Sequence, residues 1–264
     1  MKLTKKLIPA LGMLVLSACM LVTSTFAWFA MNENVTAKGM TVTAKADQVY
    51  LQIVTDATDF DEATAQTSAD ATNSGYTGSG ESKTPNTFLP ITVGSTSGTI
   101  GLTAGEGGLL SSAINWYVNY SNDPDKYEAA NDYTNIPEDA DNFDSYCLVN
   151  TFYVRLNPAT NVVTTSSPLR SGIATSFADA DPMALSVSVL VVCGDYAQLW
   201  KQTSLNTWAS TGKQLTAGGF ANAGTNNGGH EVKVYIFFDG ENENCKTNNV
   251  TDANYDVTVN FTVA

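Results

Sequence analysis

The sequence has few of the residues that enzymes most often use for catalysis. It contains one histidine, His230, in 264 residues, so a site with several histidine ligands is excluded. It has no nucleophile elbow, no His-Glu-x-x-His motif and no glycine-rich nucleotide-binding motif. His230 follows two glycines and precedes a strand-like run, which is typical of a turn-end residue. These absences predict that the chain is not an enzyme, although its 26 acidic residues leave a carboxylate pair for glycoside hydrolysis as an alternative.

Cysteine is also scarce. The four cysteines are Cys19, Cys147, Cys193 and Cys245, and none forms a Cys-x-x-Cys pair, so a structural zinc site has no support. Cys147 and Cys193 lie in apolar runs, which favours buried thiols, whereas Cys245 lies in a polar stretch. Removal of a segment that includes Cys19 would leave an odd number, and therefore at most one intramolecular disulfide.

Positive charge is the third shortage. Lysine and arginine total 13 against 26 acids, and loss of Lys2, Lys5 and Lys6 with an N-terminal segment would change the formal net charge from −13 to −16. So acidic a surface repels nucleic acid and anionic membranes. We therefore expect no nucleic-acid partner, and membrane contact only through an uncleaved signal segment or a lipid anchor.

Calcium is the one cofactor that the acidic composition suggests. Asp239, Glu241 and Glu243 form the most compact acidic cluster and follow a strong strand. Their spacing does not match that of an EF-hand calcium loop, and the competing interpretation is a polar hairpin loop. We otherwise expect no cofactor.

Residues 1–27 have the three parts of a secretory signal. A basic start is followed by an apolar stretch over residues 7–22, and Thr25 and Ala27 supply the small residues before a cut at Trp28. Signal peptidase is the expected partner during export. A transmembrane anchor is the competing interpretation, because the apolar stretch up to Ala30 approaches spanning length.

A second processing site lies within this segment. Leu16-Ser17-Ala18-Cys19 is a well-formed lipobox, at which Cys19 would be lipidated. The residues that follow Cys19 are apolar, where a lipoprotein usually has a polar tether. Cleavage at Trp28 is therefore our first expectation and lipidation at Cys19 the alternative.

The rest of the chain shows strand patterns. Residues 255–263 alternate strictly between apolar and polar, which predicts a strand with one buried face. Residues 183–193 are the most apolar segment after the signal and predict a central strand. Further strands are predicted at residues 35–46, 48–55, 87–93, 98–103, 113–120, 147–156, 161–165 and 232–238, and one short helix at residues 123–130.

These elements predict an all-β fold. We expect a jelly-roll-like β-sandwich over residues 47–264 with a long polar loop insertion at about residues 56–86. An apolar signal helix over residues 1–27 and an extended segment over residues 28–46 would precede it. No repeat and no linker divides the chain, so one domain is expected.

The residues around the cleavage site resemble a known family. Thr25-Phe26-Ala27-Trp28-Phe29 resembles the junction of SipW-dependent signal peptides, Asn32-Glu33-Asn34 supplies the polar stretch after it, and residues 35–42 are similar to the strand that follows. The chain thus resembles the TasA/camelysin family. The resemblance implies a jelly-roll subunit that is secreted and polymerises with itself into extracellular fibres of a biofilm matrix by donor-strand exchange.

The sequence contains candidate residues for this strand exchange. Removal of the signal would free residues 28–46, and Val35, Ala37, Met40 and Val42 are the candidates for the face inserted into a neighbouring subunit. The alternative is that this segment is the first strand of its own domain. A different class of function is also open, namely a monomeric adhesin or carbohydrate-binding module at the cell surface, with Cys19 as an anchor.

Overall fold

The structure is a computed structural model of the chain. It describes residues 40–46, 51–61, 64, 66–77, 84–85, 88–118, 133–158, 167–177, 182–221, 229–245 and 255–263. The predictions for the signal segment, Val35, Ala37, the strand at residues 161–165 and the helix at residues 123–130 lie outside these residues. Among the described residues, no helix is long and apolar enough to cross a bilayer.

The described chain is predominantly β. Its strands are β1 Met40–Ala46, β2 Leu51–Val54, β3 Ser68–Asp70, β4 Tyr76–Thr77, β5 Thr84–Pro85, β6 Thr92–Ser95, β7 Leu109–Leu110, β8 Ile114–Val118, β9 Thr134–Asn135, β10 Cys147–Leu156, β11 Leu169–Thr175, β12 Val187–Cys193, β13 Tyr196–Ser204, β14 Thr207–Thr211, β15 His230–Phe238 and β16 Tyr255–Val263. Short 3-10 helices occur at Ala57–Asp59, Ser111–Ala113, Phe143–Ser145 and Pro182–Ser186.

A seven-stranded antiparallel sheet forms the centre of the molecule. Its order is β14-β13-β12-β15-β10-β2, and β7 pairs with the start of β13. The prediction that residues 183–193 contain a central strand is confirmed for β12. The prediction is wrong for its first residues, because Pro182–Ser186 is a 3-10 helix in which the Ser186 hydroxyl donates to the carbonyl of Met183.

A four-stranded sheet lies beside it, in the order β11-β16-β1-β3. Here β1 and β16 are parallel, whereas β11 pairs antiparallel with β16 and β3 antiparallel with β1. The first described strand thus occupies an inner position, between the last strand of the chain and a strand that follows it.

The inward faces of these two sheets share one hydrophobic core. The alternation predicted for residues 255–263 is confirmed, because the apolar residues from Tyr255 to Phe261 are buried and Asp256 is exposed. This core also includes Val42, Ala44, Phe152, Val189, Val234 and Phe238.

The opposite face of the seven-stranded sheet covers a second core. A three-stranded sheet, β6-β8-β9, packs there around Trp116, whose ring centroid lies 5.1 Å from that of Phe237 and 5.4 Å from that of Tyr235. The inner strands β12 and β15 are therefore buried on both faces, which explains why both are nearly continuous apolar runs.

Two loop predictions need correction. The stretch at residues 56–86 is not a plain loop, since it contains the helix Ala57–Asp59 and the short strands β3, β4 and β5. Residues 98–103 contain no strand and make only an isolated bridge at Ile100 to Gly94. They lie along the edge of β6, where their backbone groups bond to Ser95 and Val93.

The tip of the β13–β14 hairpin ties the two large sheets together. Asn206 lies in the left-handed region with φ 59°, and its side-chain oxygen accepts hydrogen bonds from the backbone N–H of Phe177 and the hydroxyl of Thr175, both at 2.8 Å. Its amide donates to the carbonyl of Phe177 at 3.0 Å. These bonds hold the end of β11 against the neighbouring sheet.

We expect Asn206→Gly to lower the free energy of unfolding by about 1–3 kcal/mol, because glycine keeps the turn but leaves the end of β11 without its partners. Asn206→Ala should cost about 1 kcal/mol more, since alanine disfavours a positive φ. Urea unfolding measures both values. Equal stability of wild type and the glycine variant would show that these bonds contribute nothing.

Candidate strand-exchange site

β1 is hydrogen-bonded along both of its edges. Met40 to Ala46 pair in register with Tyr255 to Phe261 of β16, and residues 43–45 pair with β3 on the other side. The backbone N–H of Ala71 adds a bond of 2.9 Å to the carbonyl of Val42. Without β1, β16 and β3 would each expose an unpaired edge toward the space that β1 fills.

The inward face of β1 is apolar and fully buried. Val42 is 1% exposed and Ala44 is 0% exposed, and both belong to the core shared by the two large sheets. Their partners in β16 are Val257 and Val259. Val42, a candidate for the inserted face, thus lies on the inward side of the strand.

The outward face of β1 is held by side-chain hydrogen bonds. The hydroxyl of Thr41 donates to Asp256 of β16, and the hydroxyl of Thr43 donates to Asp70 of β3 at 3.4 Å. A slip by one residue would turn Val42 and Ala44 outward, and a slip by two would break the threonine–aspartate pairs. No local pattern predicts these two aspartates as partners of β1, because they lie far from it along the chain.

The segment is joined to the rest of the domain by a short connection. β1 ends at Ala46 and β2 begins at Leu51 in the other large sheet. Of the candidate residues for strand exchange, Met40 and Val42 are described and lie in β1. Val35, Ala37, the cleavage residues Thr25, Ala27 and Trp28, and the lipidation candidate Cys19 lie outside the described residues.

Asp239 joins the seven-stranded and three-stranded sheets. Its carboxylate is buried and accepts hydrogen bonds from the hydroxyl of Thr92 at 2.8 Å and from the ammonium of Lys201 at 2.5 Å. The backbone N–H of Glu241 donates to it as well, whereas the side chains of Glu241 and Glu243 lie at the surface. The three acids proposed for calcium are thus not brought together around one point.

Nearby, the hydroxyl of Tyr133 is hydrogen-bonded to Glu241. Burial, together with this bond to a carboxylate, raises the pKa of Tyr133 to about 12. Across the described residues, no three histidine, cysteine or carboxylate side chains come close enough to hold a metal ion.

We expect millimolar calcium to shift the melting temperature of the protein by less than about 1 °C, because both oxygens of Asp239 already have partners. Lys201→Met removes the ammonium group from one of these oxygens. The calcium-dependent shift in melting temperature of this variant, compared with that of the wild type, shows whether the ion pair excludes the metal. Differential scanning calorimetry with calcium and with a chelator measures both. A clear calcium-dependent rise in the wild type would contradict the expectation.

A cleft of about 710 Å³ opens beside the end of β12 and the start of β15. Glu138 lies on its wall and accepts hydrogen bonds from the hydroxyl of Tyr235 at 2.8 Å and from Lys233 at 3.1 Å. Burial, and then the bond to Glu138, raises the pKa of Tyr235 well above its usual value. Glu231 and His230 also line this cleft, and the ring of His230 bonds to the carbonyl of Ala221.

The described cysteines, Cys147, Cys193 and Cys245, are all buried and unpaired. Burial raises the pKa of Cys193 and of Cys245 to about 12, and that of Cys147 well above its usual value. Cys245 lies in a polar stretch of sequence but is only 3% exposed, so the expectation that it differs from the other two is wrong.

We expect the native protein at pH 8 to react with a thiol reagent at least about a hundredfold more slowly than the unfolded protein, since the raised pKa values deplete the thiolate. Absorbance of the released chromophore measures the rate, and the final count in denaturant gives three thiols if Cys19 has been removed. Rapid reaction of one thiol in the native state would contradict the burial of that cysteine.

Comparison with protein-family models, with curated proteins and with solved structures found no match for this chain. Its function is therefore argued from its own sequence and geometry.

Proposed function

We propose that this chain is a secreted structural subunit that polymerises into extracellular or surface fibres by exchanging β1 between copies. In each fibre contact, β1 of one subunit would lie between β16 and β3 of the next. The observation that carries the proposal is the inner position of the first described strand, which completes a sheet formed otherwise by strands that follow it.

The contacts of β1 do not by themselves favour either a separate subunit or a fibre. Val42 and Ala44 would bury the same surface, and Thr41 and Thr43 would meet the same aspartates, whether β1 comes from the same chain or from a neighbour. An exchanged contact is therefore as strong as an intramolecular one, and the burial of Val42 alone is worth about 1.5–3 kcal/mol. The outcome then depends on protein concentration and on strain in residues 47–50, since short connections promote swapping.

The position of β1 in the chain makes exchange sterically simple. It is the first described strand, so it can leave its slot without threading any later segment through the fold. The segment before it would be freed by the proposed cleavage before Trp28, which places assembly after export. Premature polymerisation inside the cell would thereby be avoided.

Within this proposal, the two large sheets are the layers of a jelly-roll-like sandwich. Their shared core supports this assignment, as does the resemblance of the N-terminal segment to the TasA/camelysin family. The family further suggests a biofilm matrix as the location of the fibre. We propose a structural role without catalysis, in keeping with the single histidine.

A disulfide between β1 and β16 tests the exchange directly. Thr43 and Thr258 are partners in the parallel register, so cysteines at both positions lie within bonding distance. We expect residues 28–264 carrying Thr43→Cys and Thr258→Cys to form fibres that, once oxidised, run as a covalent ladder of multimers in a denaturing gel. Oxidation before assembly should instead give internally linked monomers that cannot polymerise.

The matched control carries Thr43→Cys with Thr262→Cys. Thr262 lies on the same face of β16 but four residues out of register, about 13 Å away, so no ladder should form. Fibres that yield only internally linked monomers would show that β1 stays in its own subunit. Absence of fibres at any protein concentration would exclude the structural role.

A surface-binding module is the second candidate, and the cleft at the end of β12 and the start of β15 favours it. Glu138, Glu231 and Tyr196 line it, and carboxylates accept hydrogen bonds from sugar hydroxyls while an aromatic ring packs against the apolar face of a sugar. Titration calorimetry with soluble oligosaccharides tests this role, with Glu231→Gln as the variant. Binding that is lost in this variant by a chain that never forms fibres would favour the module over the fibre subunit.

A further inference from the structure

Two sheet edges in the described part of the molecule, those of β11 and β2, are closed by hydrogen bonds from other segments. On β11, the backbone N–H of Ser171 donates to the side chain of Gln198 at 2.7 Å, and that of Leu169 donates to the hydroxyl of Thr216 at 3.1 Å. On β2, the N–H of Ile53 donates to the carbonyl of Gln66 at 2.8 Å. These edges are unavailable to another chain.

The remaining edges differ in length and charge. β3 has only three residues and carries the carboxylate of Asp70, and β9 has only two residues. On β6, backbone groups of residues 99–101 form hydrogen bonds with backbone groups on the outer edge of the strand. β4, β5 and β7 have two residues each, whereas β14 has five, and no described residue pairs with the backbone of its outer side.

β14 has neither a charged residue nor a proline to protect its edge, and the one irregularity in its pairing with β13 lies at Gln202–Ser204, near the hairpin turn. Its sequence, Thr-Trp-Ala-Ser-Thr, contains no charge and no proline, and Thr207, Ala209 and Ser210 are exposed. Natural proteins guard such strands with lysine, proline or an inward charge. On a chain with a net charge of −13, an uncharged edge is also where two copies can approach with the least repulsion.

We propose that β14 pairs with β14 of a second copy and joins neighbouring fibres side by side. An antiparallel pair related by a two-fold axis would centre on Ala209, with Trp208 opposite Ser210 of the other copy. Such a contact is self-complementary, since each strand offers the other the same hydrogen-bonding groups.

The small size of this contact decides what it can do. Five residues on each side are far fewer than the roughly 20–30 per side of a stable interface, so free subunits would not dimerise through it. Along two fibres the same contact repeats at every subunit, and many weak contacts act together. The inference therefore rests on the proposed fibre and assigns β14 to lateral bundling of fibres.

Charge at the two-fold axis provides the test. Residue 209 faces itself in the proposed pair, so Ala209→Lys and Ala209→Glu each place like charges opposite one another. We expect fibres of either variant to form normally but to stay single, whereas wild-type fibres bundle. Mixing preformed lysine fibres with preformed glutamate fibres should restore bundling, because opposite charges then meet.

Negative-stain electron microscopy and light scattering measure fibre width and bundling. Ala209→Thr keeps a neutral strand and should bundle like wild type, and so should Thr58→Lys, which adds the same charge at an exposed residue elsewhere. Bundling of the separate charged variants, or a mixture that stays single, would overturn pairing through β14. Wild-type fibres that never bundle would also overturn pairing through β14. A wild-type protein that forms no fibres would instead contradict the proposed function and this inference together.

Discussion

The structure depends on the closure of the four-stranded sheet by its first strand. β1 is the only described element that pairs with both β16 and β3, and its Val42 and Ala44 side chains complete the apolar surface between the two large sheets. The pairing of β1 with β16 joins residues more than 200 positions apart. Forming it within one chain therefore closes a loop that includes most of the chain, at a cost in conformational entropy. A β1 strand supplied by another chain would close the sheet with the same contacts, but the loss of conformational entropy would differ.

The seven-stranded sheet holds other parts of the molecule together through contacts that do not involve β1. Its inner strands are covered on one side by the four-stranded sheet and on the other by the sheet around Trp116. Asp239, bonded to Thr92 and Lys201, fixes the second contact, and Asn206 fixes the edge at β11. Neither of these hydrogen-bonded contacts involves β1, so both would persist if the β1 of a neighbouring copy took the same place.

The sequence predicts strands well where burial is one-sided or complete. Residues 255–263 and 147–156 have the predicted bounds, because period-two alternation and long apolar runs reflect how their faces are covered. The pattern does not predict β11 and β13, because polar residues such as Ser171 and Gln198 are buried between the sheets, nor β14, because it is short and mostly exposed. At the candidate site, Val42 was predicted from its pattern, whereas Asp256 and Asp70 depend on pairings that no local pattern reveals.

The two proposed contacts differ in strength because they differ in what they bury. Inserted β1 gains two hydrogen-bonded edges and a place in the core, so release requires opening of that core and an axial contact would be long-lived. β14 gains one edge at the surface and no core, so a lateral contact would form and break readily. A fibre built in this way would be continuous along its axis while its bundles could rearrange, since subunit linkage would bury a strand in a core, whereas fibre association would pair only one edge at the surface.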